Sequence, residues 1–207
     1  MMRAIQRNPT GQVRQRTSSA RSGMTLVELL IVVIIMGIVT GLAIPRMNIE
    51  GYKVSSAVRG VTATLSYAQR LAVSLQHDVR VSFDAANRRL RIHEDADNDG
   101  VMDVNERVTY TNLEDGVTFG RGGAPAITYT SGVAGPLTFN FTQTQGGLPV
   151  VVFRRDGTVS ESGGFYLNTI KSIAEGTTRS VRAGEMIRSS GRVIWYSYAT
   201  TAWVRGN

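Results

Sequence analysis

The stretch "RSGMTLVELLIVVIIMGIVTGLAIP", residues 21–45, contains an apolar run that is interrupted by a single charged residue. The run extends over 21 residues from Met24 to Ile44, and Glu28 is its only charge. A helix of that length is about 30 Å long, which matches the hydrocarbon core of a bilayer. A carboxylate inside such a segment costs up to roughly 2.5–3.5 kcal/mol. The stretch therefore predicts a transmembrane helix in which Glu28 has a functional role.

Basic residues are concentrated ahead of the apolar run. The whole chain of 207 residues has a net charge of +7. Residues 1–23 contain five arginines and no acid, whereas the remainder contains 18 basic and 16 acidic residues. An arginine-rich flank keeps the N-terminal side of a membrane segment in the cytoplasm. We therefore expect a single pass through the inner membrane, with a cytoplasmic N-terminus and a periplasmic globular domain.

Two simpler interpretations leave part of this stretch unexplained. A secretory signal peptide has a shorter apolar run that is followed by small residues at its cleavage site. Here the small residues Ser22 and Gly23 precede the run. A plain membrane anchor explains the apolarity but leaves Glu28 without a reason. If the chain were cut after Gly23, the new amine of Met24, or that of a neighbouring subunit, could pair with Glu28 and offset the desolvation of both charges.

The segment "GMTLVE" followed by an apolar helix resembles the leader junction of type IV pilins and of type II secretion pseudopilins. In that family a prepilin peptidase cuts after the glycine and methylates the new N-terminus. The resemblance implies cleavage after Gly23, N-methylation of Met24, an assembly role for Glu28 and a helix kink at Pro45. The family usually has Phe at the position of Met24. The implied regions are a cleaved leader (1–23), a transmembrane helix (24–45), an amphipathic continuation of that helix (46–76) and a periplasmic domain (77–207).

A helical period resumes after Pro45. Apolar residues recur at three- and four-residue intervals, namely at Val54, Val58, Val61, Leu65, Ala68, Leu71 and Leu75. An amphipathic helix lying on the membrane would carry more Lys and Arg opposite this stripe. We therefore expect one long helix to about Gln76, with its second half packed on a sheet.

From Asp78 onward the apolar period becomes two. The segments "VRVSF" and "RLRIH" alternate and are joined by "DAANR", which predicts a hairpin. Glycine-rich breaks separate the further strand candidates, which are "RVTYTNL", "GVTFG", "AITYT", "LTFNFTQT", "LPVVVFRRDGTVS", "GFYLNTI", "RSVRAG" and "RVIWYSY". The predicted fold class is α+β, with the long helix packed on a β-rich C-terminal domain.

The C-terminal half resembles one group within the pilin-like proteins. The segment "VVFRRDGTVSESGGFYL" and the later "GRV" are similar to the H-type minor pseudopilins, the GspH/FimT family. The matching residues are Phe153, Gly157, Gly191, Arg192 and Val193. The resemblance implies a structural subunit of the type II secretion pseudopilus. Its partners would be other pseudopilins or pilins, the prepilin peptidase and the inner-membrane assembly platform.

One segment fits the pattern of a calcium loop. "DADNDGVMDVNE", residues 95–106, has the spacing D-x-D-x-D-G with a glutamate at position twelve. The predicted ligands are Asp95, Asp97, Asp99, the Val101 carbonyl, Asp103 directly or through water, and Glu106. The predicted flanks are strands, so the helix–loop–helix context is missing. A solvated acidic turn is the alternative, and calcium is the only cofactor that the sequence suggests.

Catalytic constellations are not evident in the sequence. His77 and His93 are the only histidines, and neither belongs to a spaced catalytic motif. The absence of cysteine excludes disulfides and cysteine-based metal sites. We expect a protein that works by assembly and is not an enzyme.

DNA binding is the alternative function, since some transformation-pilus members of the resembled family bind DNA through basic C-terminal residues. The candidates here are Arg188, Arg192 and Arg205, and aromatic residues that could stack on bases lie between them. The DNA-binding members tend to carry a second arginine two residues after the first. In this chain Ile194 follows Val193, which departs from that pattern.

Overall fold

The computed structural model describes residues 23–43 and 49–206. Its helices are α1 (Leu26–Ala43), α2 (Ile49–Leu75) and α3 (Ile170–Ala174). The chain is α+β, with helix at the N-terminus and a β-rich C-terminal domain. Most of the predicted leader lies outside the described residues, and so does Pro45 with its predicted kink.

Helix α1 begins with a side-chain cap. Thr25 Oγ1 accepts a hydrogen bond from the Glu28 amide at 3.2 Å, and the Thr25 carbonyl accepts from Leu29 N at 3.1 Å. This is the first half of a Thr-x-x-Glu capping box. The large apolar side chains of α1 are exposed on every side, from 39% at Val32 to 83% at Leu26. Among the described residues, no helix combines the length and the apolarity needed to cross a membrane.

Helix α2 buries one face against the sheets and ends where predicted. Its buried residues are Val54, Ala57, Val61, Thr64, Leu65, Ala68 and Ala72. The predicted stripe is slightly rotated, because Leu75 is 43% exposed whereas Ala57 and Ala72 are fully packed. Alanine adds little to an apolar period, but its small side chain is easily covered where helix and strands lie close together. Gln76 then adopts a left-handed conformation (φ 61°), and its amide bonds the Ala72 carbonyl.

Two antiparallel five-stranded sheets make up most of the domain. The strands are β1 (Asp78–Asp84), β2 (Arg89–Asp95), β3 (Val108–Asn112), β4 (Val117–Phe119), β5 (Ile127–Thr128), β6 (Ala134–Gly135), β7 (Thr144–Gln145), β8 (Leu148–Phe153), β9 (Gly163–Thr169), β10 (Arg182–Met186), β11 (Val193–Ala199) and β12 (Ala202–Arg205). The first sheet has the order β3-β2-β1-β8-β7 and the second the order β12-β11-β10-β9-β4. The predicted hairpin is confirmed, since β1 and β2 pair with Val81 opposite Ile92.

The main core lies between α2 and strands of both sheets. It joins Val54 and Leu65 of α2 to residues of β1, β2, β4, β8, β9 and β10. Phe83 is its centre, because its ring lies 4.9 Å from Phe165 and 5.7 Å from Phe119. A smaller cluster forms elsewhere around buried tyrosines, namely Tyr129, Tyr166 and Tyr196. Both sheets are therefore stabilised by one helix face.

The strand predicted for "LTFNFTQT", residues 137–144, is largely wrong. Asn140 instead exchanges hydrogen bonds with the backbone of Leu137, and the amides of Thr142 and Gln143 donate to the Glu161 carboxylate. Strand pairing is limited to one antiparallel bridge between Phe139 and Phe165 of β9, and these side-chain bonds replace a longer ladder. The alternating aromatics that suggested a strand belong to a loop that places Phe139 against the core. Helix α3 and strands β6 and β12 were not predicted from the sequence.

The two glycine turns of the C-terminal resemblance meet on α2. Gly157 and Gly191 both have positive φ, 82° and 62°. Gln69 Nε2 donates to the Gly157 carbonyl at 2.6 Å and to the Ser190 carbonyl at 2.8 Å. A Cβ on Gly191 would lie 2.5 Å from Gln69 Nε2 and 2.8 Å from the Gly157 carbonyl oxygen. The helix therefore ties together two turns that are far apart in sequence.

Replacing Gln69 should destabilise the domain. Gln69→Leu keeps most of the side-chain volume but leaves the carbonyls of Gly157 and Ser190 without their donor, which should lower the free energy of unfolding by about 1–3 kcal/mol. Arg70→Leu is the control, because Arg70 is the exposed neighbour on the same helix. Urea unfolding followed by circular dichroism measures both. Equal losses in the two variants would show that the bridge contributes nothing of its own.

Candidate functional site

The first sheet carries a row of buried polar side chains on the face opposite its apolar contacts. Along β2, Leu90 and Ile92 belong to the main core, whereas Arg91, His93 and Asp95 point the other way. Arg91, His93 and Asp95 are nevertheless buried, with exposures of 9%, 0% and 0%. We call these three residues the polar face. Such residues are rarely buried without partners.

The hydrogen bonds around His93 indicate its tautomer. Gln145 Nε2 donates to the Gly100 carbonyl at 3.0 Å, which fixes the orientation of the Gln145 amide because a carbonyl can only accept. The same nitrogen lies 3.0 Å from His93 Nδ1, so Nδ1 must accept as well. The proton is then on Nε2, which donates to Glu106 Oε2 at 2.6 Å. His93 therefore links Gln145 to Glu106 through its two ring nitrogens.

Glu106 holds the segment of residues 95–106, which we call the acidic loop, against this polar face. Its Oε1 accepts from the Ala96 amide at 2.8 Å, and its Oε2 accepts from the Asp103 amide at 3.1 Å as well as from His93. The hydrogen bond from the Asp103 amide, opposed by burial and reinforced by His93 and Ala96, lowers the pKa of Glu106 to about 2. The carboxylate therefore joins both ends of the loop to β2.

The predicted calcium ligands separate into two groups. Asp95, Asp97 and Asp99 each bring a carboxylate oxygen to within 4.8 Å of the others. Asp103 and Glu106 are not in this group, and Glu106 is held by His93 instead. The exposed Val101 donates its amide to Asp99 Oδ1 at 2.7 Å, and the Asp99 amide donates to Asp97 Oδ1 at 3.2 Å. The structure thus brings together three of the six predicted ligands.

The predicted DNA-binding arginines line two adjacent open cavities. Arg192 and Arg205 line one of about 480 Å³ with Trp195, and Arg188 lines another of about 510 Å³ with Arg154. Ile187 lines both cavities.

The aromatic residues near these arginines are engaged within the domain. Trp195 Nε1 donates to Thr62 Oγ1, and the buried Tyr196 donates to Glu185. Trp203 packs against Tyr166 and donates to the Pro125 carbonyl. These contacts disfavour the predicted stacking on bases.

Sequence reasoning missed the arrangement around His93. Its partner Glu106 lies thirteen residues later in the chain. The available signal was the period of two in "RLRIHED", which puts Arg91, His93 and Asp95 on one face. Glu185 was also missed: it is fully buried and, although burial opposes ionisation, hydrogen bonds from Tyr196 and Ser131 lower its pKa.

The N-terminal stretch matches a known motif. Residues 18–44 match the model of the prokaryotic N-terminal methylation motif. This range contains Gly23, Met24 and Glu28 together with all of α1. The match supports a type IV pilin-like protein. It indicates processing by a prepilin peptidase and assembly with other pilins. Neither the curated proteins nor the solved structures contain a significant match to the chain.

The low pKa of Glu106 predicts a specific loss of stability in acid. A carboxylate whose pKa is about 2 when folded and 4.5 ordinarily stabilises the fold fully above pH 4.5, and this contribution disappears as the pH falls towards about 2. Glu106→Gln cannot titrate, so its melting temperature should fall less over this range than that of the unaltered protein. Asp115→Asn, at an exposed acid outside the loop, is the control. If the melting temperatures of the unaltered protein and of Glu106→Gln fell by the same amount from pH 5 to 2, the low pKa of Glu106 would be contradicted.

Proposed function

We propose that this chain is a minor pseudopilin, a structural subunit of the periplasmic pseudopilus of a type II secretion system. The observation that carries the proposal is the methylation motif at residues 18–44, which places Gly23 and Met24 just before an apolar helix. The subunit would be inserted in the inner membrane, cleaved and methylated by the prepilin peptidase, and drawn into the filament by the assembly platform.

The surface of α1 supports insertion and assembly. Leu26, Ile31, Ile35 and Val39 lie at different angles around the helix, and each is more than half exposed. A helix that is apolar all round requires a non-aqueous environment, which a bilayer or a bundle of neighbouring helices provides. The apolar run of the sequence extends to Ile44, one residue beyond the end of α1. We propose that this run spans the membrane before assembly and contacts other subunits afterwards.

Glu28 has two candidate roles that can be separated. Its amide completes the Thr25 cap, and an acid in the first turn favours the helix dipole. Among the described residues its carboxylate has no hydrogen-bond or ion-pair partner, so it is available to a neighbouring subunit. In the proposed filament it would pair with the methylated amine of a neighbour's Met24. Such a pair would set the axial register between subunits.

The domain supports assignment to the H-type group. The resemblance rests on two short segments around Gly157 and Gly191, and Gln69 of α2 binds the turn at each of them. Segments joined by one helix side chain form a structural unit of the domain. The two segments together therefore support the H-type assignment more strongly than either short motif alone.

DNA uptake as part of a type IV pilus is the second candidate function. The observation in its favour is that Arg192 and Arg205 share a cavity and Arg188 lines the adjacent one. A DNA-binding subunit should show affinity that falls steeply with salt and is lost in Arg192→Ala with Arg205→Ala. Gel-shift assays on the purified protein at two salt concentrations decide this, with Arg59→Ala, an exposed arginine of α2, as the control.

Cleavage should occur between Gly23 and Met24. The mature chain would then begin with N-methylated Met24 and lack the five leader arginines. Gly23→Ala should block this step, because the peptidase requires a compact, extended backbone at the cut. Ser22→Ala is the control and should be processed normally. Mass spectrometry of the N-terminus in membrane and filament fractions is the measurement, and assembled protein that retains Met1 would contradict the proposal.

Substitution of Glu28 should separate its two roles. If the carboxylate pairs with an amine, Glu28→Gln and Glu28→Val should be inserted and cleaved but enter filaments more than roughly tenfold less, since breaking a buried ion pair costs about 3–5 kcal/mol. Thr25→Ala, which removes the cap but keeps the charge, should still assemble. Quantitative immunoblots of sheared filaments measure this. If Glu28→Gln assembled normally while Thr25→Ala failed, the helix cap would be the true role.

A further inference from the structure

Asp95, Asp97 and Asp99 form a compact group at the start of the acidic loop. One carboxylate oxygen from each lies within 4.8 Å of the other two. Asp97 and Asp99 are exposed to solvent, whereas Asp95 at the end of β2 is fully buried. Three ionised carboxylates at this separation repel one another unless a cation lies between them.

Asp95 provides an independent observation that points to a ligand. Its Oδ2 accepts from Arg80 Nε at 2.5 Å and from the Gly100 amide at 3.1 Å. Its Oδ1 is shielded from solvent and has no hydrogen-bond donor among the described residues. A buried carboxylate oxygen without a donor is costly, so native proteins normally supply it with a partner. Arg80 offsets one of the three negative charges and leaves two.

The remaining loop residues hold this group in place. Glu106 joins the Ala96 and Asp103 amides to His93, and Gln145 joins His93 to the Gly100 carbonyl. Asn98 Oδ1 accepts from the Asp78 amide at 2.7 Å, which fixes the middle of the loop to β1. Because Glu106 is occupied in this way, it is a support for the loop and not a ligand. The cation would complete its coordination with water, since two of its three ligands are exposed.

We propose that Asp95, Asp97 and Asp99 bind a divalent cation, and that this cation is calcium. All the donors are oxygens, which calcium and magnesium both accept. Magnesium requires a nearly ideal octahedron, whereas calcium tolerates an irregular set of carboxylates and waters. With three carboxylates and a neighbouring arginine, the expected dissociation constant is on the order of 0.1–1 mM, as for extracellular calcium modules. This site is separate from the proposed assembly function and does not rest on it.

The test uses the full chain purified in detergent, freed of metal with a chelator and titrated with calcium chloride at constant ionic strength. Calorimetry should give one site, and calcium should raise the melting temperature more than the same concentration of magnesium. Asp97→Asn should weaken binding at least roughly tenfold, since it removes one of three charged ligands. Asp103→Asn is the matched control, because Asp103 has the same charge in the same loop but lies outside the group. It should change binding less than about twofold.

Three results would overturn the proposal. The first is the absence of binding heat together with melting curves that coincide in calcium and in chelator. The second is an equal effect of Asp97→Asn and Asp103→Asn, which would show that the cation responds to the total charge of the loop and not to a specific site. The third is an equal shift with calcium and magnesium, which would remove the assignment to calcium. None of these outcomes depends on cleavage at Gly23 or on filament formation, so the proposed function is tested separately.

Discussion

Burial of one face of α2 against both sheets is the interaction on which the rest of the domain depends. Val54, Val61 and Leu65 are fully covered, and each such side chain contributes about 1.5–3 kcal/mol when it leaves water. The same face carries Ala57 and Ala72, whose small size lets strands approach the helix. Gln69 lies beside this face and binds two turns from the C-terminal half. One helix thereby determines how the two sheets meet.

The first sheet has an apolar inner side, and the alternation of its strands therefore places polar side chains on the other side. The alternation of β2 directs Leu90 and Ile92 inward, so Arg91, His93 and Asp95 must be accommodated on the polar face. Arg91 does so without an acid, by donating to Ser82 Oγ at 3.0 Å and to the Gln145 carbonyl at 2.9 Å. His93 does so by bonding Gln145 and Glu106, and Asp95 by pairing with Arg80. The acidic loop is folded over this face by the same bonds, so its conformation is a result of how the sheet is packed.

Sequence reasoning succeeded where the deciding interactions join residues that are close together in the chain. The end of α2 near Gln76 and the hairpin of β1 and β2 were predicted because local periodicity and turn residues determine them. The strand predicted for residues 137–144 was largely wrong, because Glu161 supplies a carboxylate to amides about twenty residues earlier in the chain. The calcium-loop pattern names Asp95, Asp97 and Asp99, whose carboxylates lie close together in the structure, whereas the glutamate at position twelve lies outside this group. Glu106 is bound by His93, and that contact depends on sheet register and not on loop spacing.

The same distinction explains why the N-terminal motif is one continuous stretch, whereas the resemblance of the domain rests on short, separate segments. A peptidase reads an extended segment residue by residue, and a bilayer or helix bundle requires a continuous apolar run. Both requirements act on consecutive residues, so they leave a pattern in residues 18–44 that a motif model detects. The domain is constrained instead by contacts such as Gln69 with Gly157 and Gln145 with His93, which join residues 88 and 52 positions apart. Many sequences can satisfy such contacts provided that helix face, sheet register and turn geometry agree. The N-terminal motif is therefore determined by the order of residues along the chain, whereas the fold of the domain is determined by contacts between distant residues.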